Sequence, residues 1–198
     1  MEIAAVLNKN LFLIKEHIGI FKASNNFDIF DLENGKMIMT CREPNLGFFT
    51  KLFRFTDYKR MTPFEIEIKD EHQNILMVIK RGITLFRSDV EVFDVKNQLL
   101  GIFKQKIFSV GGKFEVFDKH DRPLCTLKGK WTGWDFSFLD KNNAEIAHVS
   151  KKWAGIGKEF FTSADNYVIE IRDRVAENDP IRYLIIATVM CIDMVLKE

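Results

Sequence analysis

The chain's 198 residues suffice for one sizeable domain or two small ones, and a hydrophobic content of 46% is ordinary for a globular protein. Lys and Arg number 29 against 28 Asp and Glu, and the formal net charge of +1 gives no reason to expect a nucleic-acid partner. Cys41, Cys125 and Cys191 are too few and too widely spaced for a disulfide framework or a zinc knuckle, and read as small buried hydrophobes.

The opening residues MEIAAVLNKN hold an early acid and a short apolar run without a basic leader, so they do not read as a secretion signal, and a cytoplasmic chain is expected. Residues 11–14 and 17–21 each read as a short strand. Residues 27–31, a turn at 32–35 and residues 36–39 follow as a hairpin. Its Asn34-Gly35 pair predicts a tight turn, since both residues tolerate positive φ.

That hairpin pattern then recurs. Residues 64–70 lead through 71–74 into 75–79, 90–94 through 95–98 into 99–103, 114–118 through 119–122 into 123–127, and 136–140 through 141–144 into 145–149. A partial copy at 167–173 precedes the last segment. Each unit is an alternating strand ending in Asp, a polar turn of about four residues and a second apolar strand. Asp70, Asp94, Asp118 and Asp140 fall 24, 24 and 22 residues apart, and their short carboxylates are expected to accept from amides of the following turn. Most of the 19 Phe residues sit in these alternating runs as plain apolar filler.

Six units imply about twelve strands, each with one face to water and one to a core. An open sheet that long curls or splits, whereas closure into a barrel removes its edges. A twelve-stranded ring is too wide for its own side chains to fill.

The last stretch, residues 179–198, supplies the filler. Asp179 can cap a helix and Pro180 suits its first position. Ile181, Leu184, Ile185, Ala187, Val189, Met190, Ile192 and Val195 then leave no continuous polar face, so the helix is buried on all sides or in lipid. From Pro180 to Leu196 it would span roughly 25 Å, a turn or two short of a comfortable bilayer crossing. Arg182 and Asp193 interrupt it, which further favours a buried helix and argues against stable transmembrane insertion. Asp193 is expected to reach a barrel-end Lys, Arg or backbone amide.

Basic residues follow many of the strands: Lys51, Arg54, Lys59 and Arg60 among Phe48, Phe49, Phe53 and Phe55; Lys80, Arg81 and Arg87; Lys104, Lys106 and Lys113; Lys128 and Lys130; Lys151 and Lys152. Their recurrence at strand ends suggests one rim of the barrel.

Helix 179–198, preceded by residues 163–171 (SADNYVIEI), resembles the C-terminal end of the phospholipid scramblases and the LURP-one-related proteins, and the strand, Asp, turn, strand units resemble the same families over nearly the whole chain. The resemblance implies the tubby C-terminal-like fold, mainly β, a twelve-stranded closed antiparallel barrel around a central hydrophobic helix, with residues 1–198 as a single domain. It also implies a calcium-binding acidic segment before the helix. Ser163 stands at the first acid of that pattern, Asp165 at the second, and Arg172 and Arg174 flank Asp173. Calcium takes about six to eight oxygens, so one lost carboxylate and two added guanidinium groups leave Asp165 and Asp173 as weak candidates and predict no metal.

For catalysis the sequence offers little. His17, His72, His120 and His148 lack metal-ligand spacing, residues 155–158 (GIGK) fall short of a phosphate loop, and Ser109 and Ser137 have no base placed by sequence. No cofactor is expected. The functional candidate is an anion-binding surface of Lys128, Lys130, Lys151 and Lys152 with Trp131, Trp134 and Trp153, which combines point charges with rings that favour the water–lipid boundary. It predicts a non-enzymatic module, peripheral at a membrane, whose partner is an anionic lipid headgroup or an acidic protein. A solvated edge with Trp rings over the barrel ends is the plain alternative, and a protein-interaction scaffold, a calcium-dependent scramblase and an enzyme with a hidden cleft are the others.

Overall fold

The computed structural model describes residues 4–17, 26–44, 62–83, 89–105, 114–130, 134–151 and 166–196, without the side chains of 105 and 193–196. Twelve strands lie among them. The first six are β1 (Leu11–Glu16), β2 (Phe27–Asp31), β3 (Met37–Arg42), β4 (Phe64–Asp70), β5 (Ile75–Arg81) and β6 (Asp89–Asp94). The rest are β7 (Leu99–Gln105), β8 (Phe114–Asp118), β9 (Pro123–Lys130), β10 (Asp135–Leu139), β11 (Glu145–Ser150) and β12 (Asn166–Ile171), followed by helix α1 (Ile181–Leu196).

Each strand pairs antiparallel with its chain neighbours, and β1 closes on β12 with Leu13 opposite Val168. The expected closed antiparallel barrel with one C-terminal helix is therefore present. A strand at 17–21 is not needed for closure: β1 pairs directly with β2, His17 N–H donates to the Asn26 carbonyl at 2.9 Å, and residues 18–21 lie outside the described set.

Five hairpins share one rim. In four of them the Asp carboxylate accepts the amides two and four residues ahead at 2.8–2.9 Å, as sequence predicts for Asp70, Asp94, Asp118 and Asp140. The residue three positions on, Gln73, Asn97, Asp121 or Asn143, takes φ between 57° and 65°. The Asp31 turn is longer. Its carboxylate holds the Glu33 amide at 3.0 Å and the Asn34 side chain at 2.7 Å, so Gly35 at φ 70° takes the left-handed position and Asn34 does not. The turn expected at 32–35 is present as a loop closed by Asp31 N–H on the Lys36 carbonyl at 2.9 Å.

The alternating apolar residues build the interior, with Phe27, Phe64, Phe114, Phe136 and Phe138 no more than 4% exposed. Phe30, Phe93 and Phe117 depart from the filler role. They stand half-buried under the ammonium groups of Lys15, Lys80 and Lys104, at 4.7, 5.6 and 4.3 Å from the ring centres. In each case the Lys lies diagonally across the strand pair, where its stem covers the ring and its charge meets the π face.

Helix α1 fills the barrel. Every residue from Arg182 to Ile192 is at most 5% exposed, which is why the run carries no polar face. Asp179 caps it, accepting the Ile181 amide at 2.9 Å, with Pro180 between them at the first position, as expected. The Asp193 backbone is helical, and its side chain lies outside the described residues.

Arg182 is more than an interruption. At 1% exposure it donates all five of its N–H bonds: to the carbonyls of Ala176, Leu7, Lys9 and Val175 and to Asn10 Oδ1, at 2.8–3.2 Å. Burial lowers its pKa below the usual arginine value, against the opposing pull of Asp179 and Glu177. The guanidinium ties the amino-terminal segment to the turn before the helix and seals that mouth of the barrel.

Candidate functional site

The hairpin turns and the entry of α1 occupy one rim, so the other six connections all join strand ends at the opposite rim. Those six, residues 17–26, 43–63, 82–88, 106–113, 131–134 and 151–165, carry eleven Lys or Arg against four Asp or Glu, with nine of the 19 Phe. The five hairpin turns carry five Lys or Arg against four Asp or Glu, and hold no aromatic residue. Of the basic strand endings noticed in the sequence, Lys80, Arg81, Lys104, Lys128, Lys130 and Lys151 are among the described residues, and Lys51, Arg54, Lys59, Arg60, Arg87, Lys106, Lys113 and Lys152 lie outside them.

On that half of the barrel wall Lys128 and Lys130 project from β9, opposite Ser137 and Asp135 of β10. Both are exposed. Lys128 Nζ lies 3.4 Å from Asn143 Oδ1, and Lys130 has no ion pair among the described residues. Asp135 is also opposite Ser150 of β11, next to Lys151, so Lys130 and Lys151 are two strands apart, roughly 10 Å at the usual strand spacing.

Trp134 corrects the sequence reading. It is only 8% exposed, its ring centre is 4.2 Å from that of Tyr167, and Lys151 Nζ stands 5.3 Å from the Trp134 ring and 5.1 Å from the Tyr167 ring. Trp134 falls two and four residues before the buried Phe136 and Phe138, in the inward phase of the alternation, and it takes a left-handed φ of 47°. Lys151 is thus a lid on an aromatic pair. Trp131, Lys152 and Trp153 lie outside the described residues.

Other cations of this rim are engaged locally. Arg42 Nη2 meets Asp28 Oδ1 at 2.5 Å, and His17 Nε2 meets Asp28 Oδ2 at 2.6 Å. Burial works to raise the Asp28 pKa, but the hydrogen bonds from Arg42 and His17 outweigh it and hold the carboxyl below its ordinary value. Lys80 pairs with Glu65 at 3.3 Å, and buried Arg81 donates to the Thr62 carbonyl at 2.7 Å while lying over the Phe64 ring.

Of the calcium candidates, Asp173 is among the described residues. Asp173 Oδ1 accepts from Asn10 Nδ2 at 2.9 Å, Asp165 lies outside the described residues, and no three His, Cys, Asp or Glu side chains come together among those described. The nearest thing to a catalytic constellation is one that sequence missed, because it depends on strand register: Ser137 stands opposite His148, and His148 Nε2 is 2.7 Å from Asp135 Oδ1. The Ser137 hydroxyl, however, donates to the Glu145 carboxylate, which Arg172 also grips at 2.6 and 2.9 Å, so its proton is not aimed at the imidazole. A groove of about 280 Å³ on the outer wall, over Leu13, Phe30 and the 32–35 turn, brings no histidine or nucleophile together with its acids.

A sequence model of the scramblase family, described simply as Scramblase, matches residues 7–198. A Saccharomyces cerevisiae protein named altered inheritance rate of mitochondria protein 25 is 23% identical over 201 residues, covering 83% of this chain and 59% of its own length. The chain thus spans about three fifths of that curated relative. A crystal structure of an Arabidopsis thaliana protein aligns over 93% of this chain and 90% of its own, with a TM-score of 0.55 and 16% identity, a likeness of fold. Among the described residues no helix is long and apolar enough to cross a membrane.

Proposed function

The chain belongs to the scramblase family, and from that premise we propose that it is a non-enzymatic module whose long-connection rim docks on anionic phospholipid headgroups at the cytoplasmic surface of a membrane. The observation that carries this reading is the composition of the connections: the six on that rim carry eleven Lys or Arg against four Asp or Glu with nine Phe and three Trp, whereas the five hairpin turns are near charge balance and hold no Phe or Trp. Cations near a charged leaflet are worth about 1 kcal/mol each, and aromatic rings favour the headgroup level. Lys130, exposed at the end of β9, is the described residue best placed to contribute, with Lys128 two residues before it and leaning toward Asn143. Lys152, Trp131 and Trp153 belong to the same connections in the sequence and lie outside the described residues.

Vesicle sedimentation tests it. Binding to phosphatidylcholine vesicles that contain phosphatidylglycerol is expected to exceed binding to phosphatidylcholine alone, and the double reversal Lys128→Glu, Lys130→Glu is expected to weaken it at least tenfold, about 1.4 kcal/mol or more. Equal and negligible binding to both vesicle types would overturn the reading, and would leave an acidic protein surface as the partner to seek.

A further inference from the structure

Resting on that lipid reading, we infer that Asp135 and His148 form a proton-dependent brake on the Lys128 and Lys130 pair, released when His148 gains a proton. Asp135 is the carboxylate directly across from Lys130, at a spacing of about 5 Å for paired side chains, and it is 61% exposed on the same outer face. Its charge therefore offsets that of Lys130 at the surface where a headgroup would arrive. The group within reach of Asp135 is His148, with Nε2 at 2.7 Å and 26% exposure.

His148 is surrounded by a definite set of charges. Across from it on β10 are Ser137 and the diagonal Asp135, and across on β12 is Glu170. Glu145 lies on its own strand, bound to Arg172, and Lys128 is one strand further along the same row, opposite Ser137. A neutral imidazole leaves the negative charge of Asp135 facing Lys130. An imidazolium cancels that charge, and the rim then presents Lys128 and Lys130 unopposed.

The sign follows directly. An anionic surface favours the form with one more positive charge, so affinity rises when His148 takes up its proton. One charge near a charged leaflet corresponds to about a fivefold change in affinity.

The test is sedimentation with phosphatidylcholine and phosphatidylglycerol vesicles, whose phosphates do not titrate in this range, at about pH 8 and about pH 5.5. The unaltered chain is expected to bind about fivefold tighter at the lower pH. Asp135→Asn is expected to bind at the higher pH as tightly as the unaltered chain does at the lower, and His148→Gln to keep the weaker affinity at both. His17→Gln, whose Asp28 neighbour is already paired with Arg42, serves as the comparison at the same rim. A pH response that survives His148→Gln in full, or Asp135→Asn binding no tighter at the higher pH, would overturn the brake while leaving the lipid reading intact. Absence of binding at both pH values would overturn the lipid reading and the brake with it.

Discussion

Arg182 and Asn10 stand 172 positions apart in the chain, yet Arg182 Nη2 donates to Asn10 Oδ1 at 2.9 Å. Asn10 uses its remaining polar atoms on the same seam: its carbonyl accepts from Ile171 N–H at 2.7 Å and its amide nitrogen donates to Asp173. One side chain from the first strand's approach and one from the helix thereby close the barrel where its two ends of chain meet.

Removing the guanidinium leaves five acceptors facing a buried vacancy. Arg182→Met is expected to destabilise the fold by at least about 3 kcal/mol, because several buried carbonyls lose their donors together. Asn10→Ala is expected to lose less, on the order of 1–2 kcal/mol. Urea unfolding of both variants checks the ranking, and an Arg182 variant of unchanged midpoint would contradict the clamp.

Gly101 sets how closely the wall approaches the helix. A Cβ there would lie 2.6 Å from the Phe117 carbonyl oxygen and 2.8 Å from Leu184 Cδ1, and the backbone contact has no rotamer to relieve it. Gly101→Ala is expected to cost about 1–3 kcal/mol, in line with overpacking a filled core. Gly82→Ala, which meets nothing within 4 Å, is the neutral comparison in the same thermal melt.

Acid sensitivity follows from the turn carboxylates. The Arg122 amide, helped by the Arg122 side chain and the His120 amide, pulls the Asp118 pKa down to about 2, and the Asn74 side chain and the amides of Asn74 and His72 lower that of Asp70. A carboxylate with a depressed folded-state pKa adds stability that is complete above its unfolded value and is lost as pH falls through the folded one. The melting temperature is therefore expected to fall between about pH 4 and about pH 2, and the fall to be shallower in Asp118→Asn.

The thiols report the interior. Burial pushes Cys125 up to about 12 and raises Cys41 and Cys191 as well, so none is a thiolate near neutrality. Reaction with a disulfide reagent is expected to be slow in the native protein and to accelerate on unfolding in urea. Rapid labelling of any of the three without denaturant would place that residue outside the sealed core.

The barrel was legible in the sequence because its signals are local. Alternation at a period of two, an Asp at each strand end and an apolar run without a polar face each need only neighbouring residues to be read. Arg182 was legible only as a break in that run, since its acceptors come from residues 7–10 and 175–176. Phe30, Phe93 and Phe117 sit in runs that read only as apolar filler, because alternation does not say which phase of a strand carries the diagonal Lys. Trp134 shares the phase of the buried Phe136 and Phe138, a period-two signal that the surface reading of the Trp residues passed over. The contact of Asp135 with His148 depends on the register of β10 against β11, and pairing register cannot be read from either strand alone.

The helix that fills the barrel is encoded after all twelve strands that surround it. During synthesis the chain leaves the ribosome with its amino terminus first, so every hairpin appears before the segment that makes its inner face dry. A ring with apolar side chains lining an empty centre has no stable closed form, and the β1 to β12 seam must wait for the helix to arrive. Nascent chains arrested before residue 181 are accordingly expected to remain protease-sensitive and dependent on chaperones, however much of the wall has already been made.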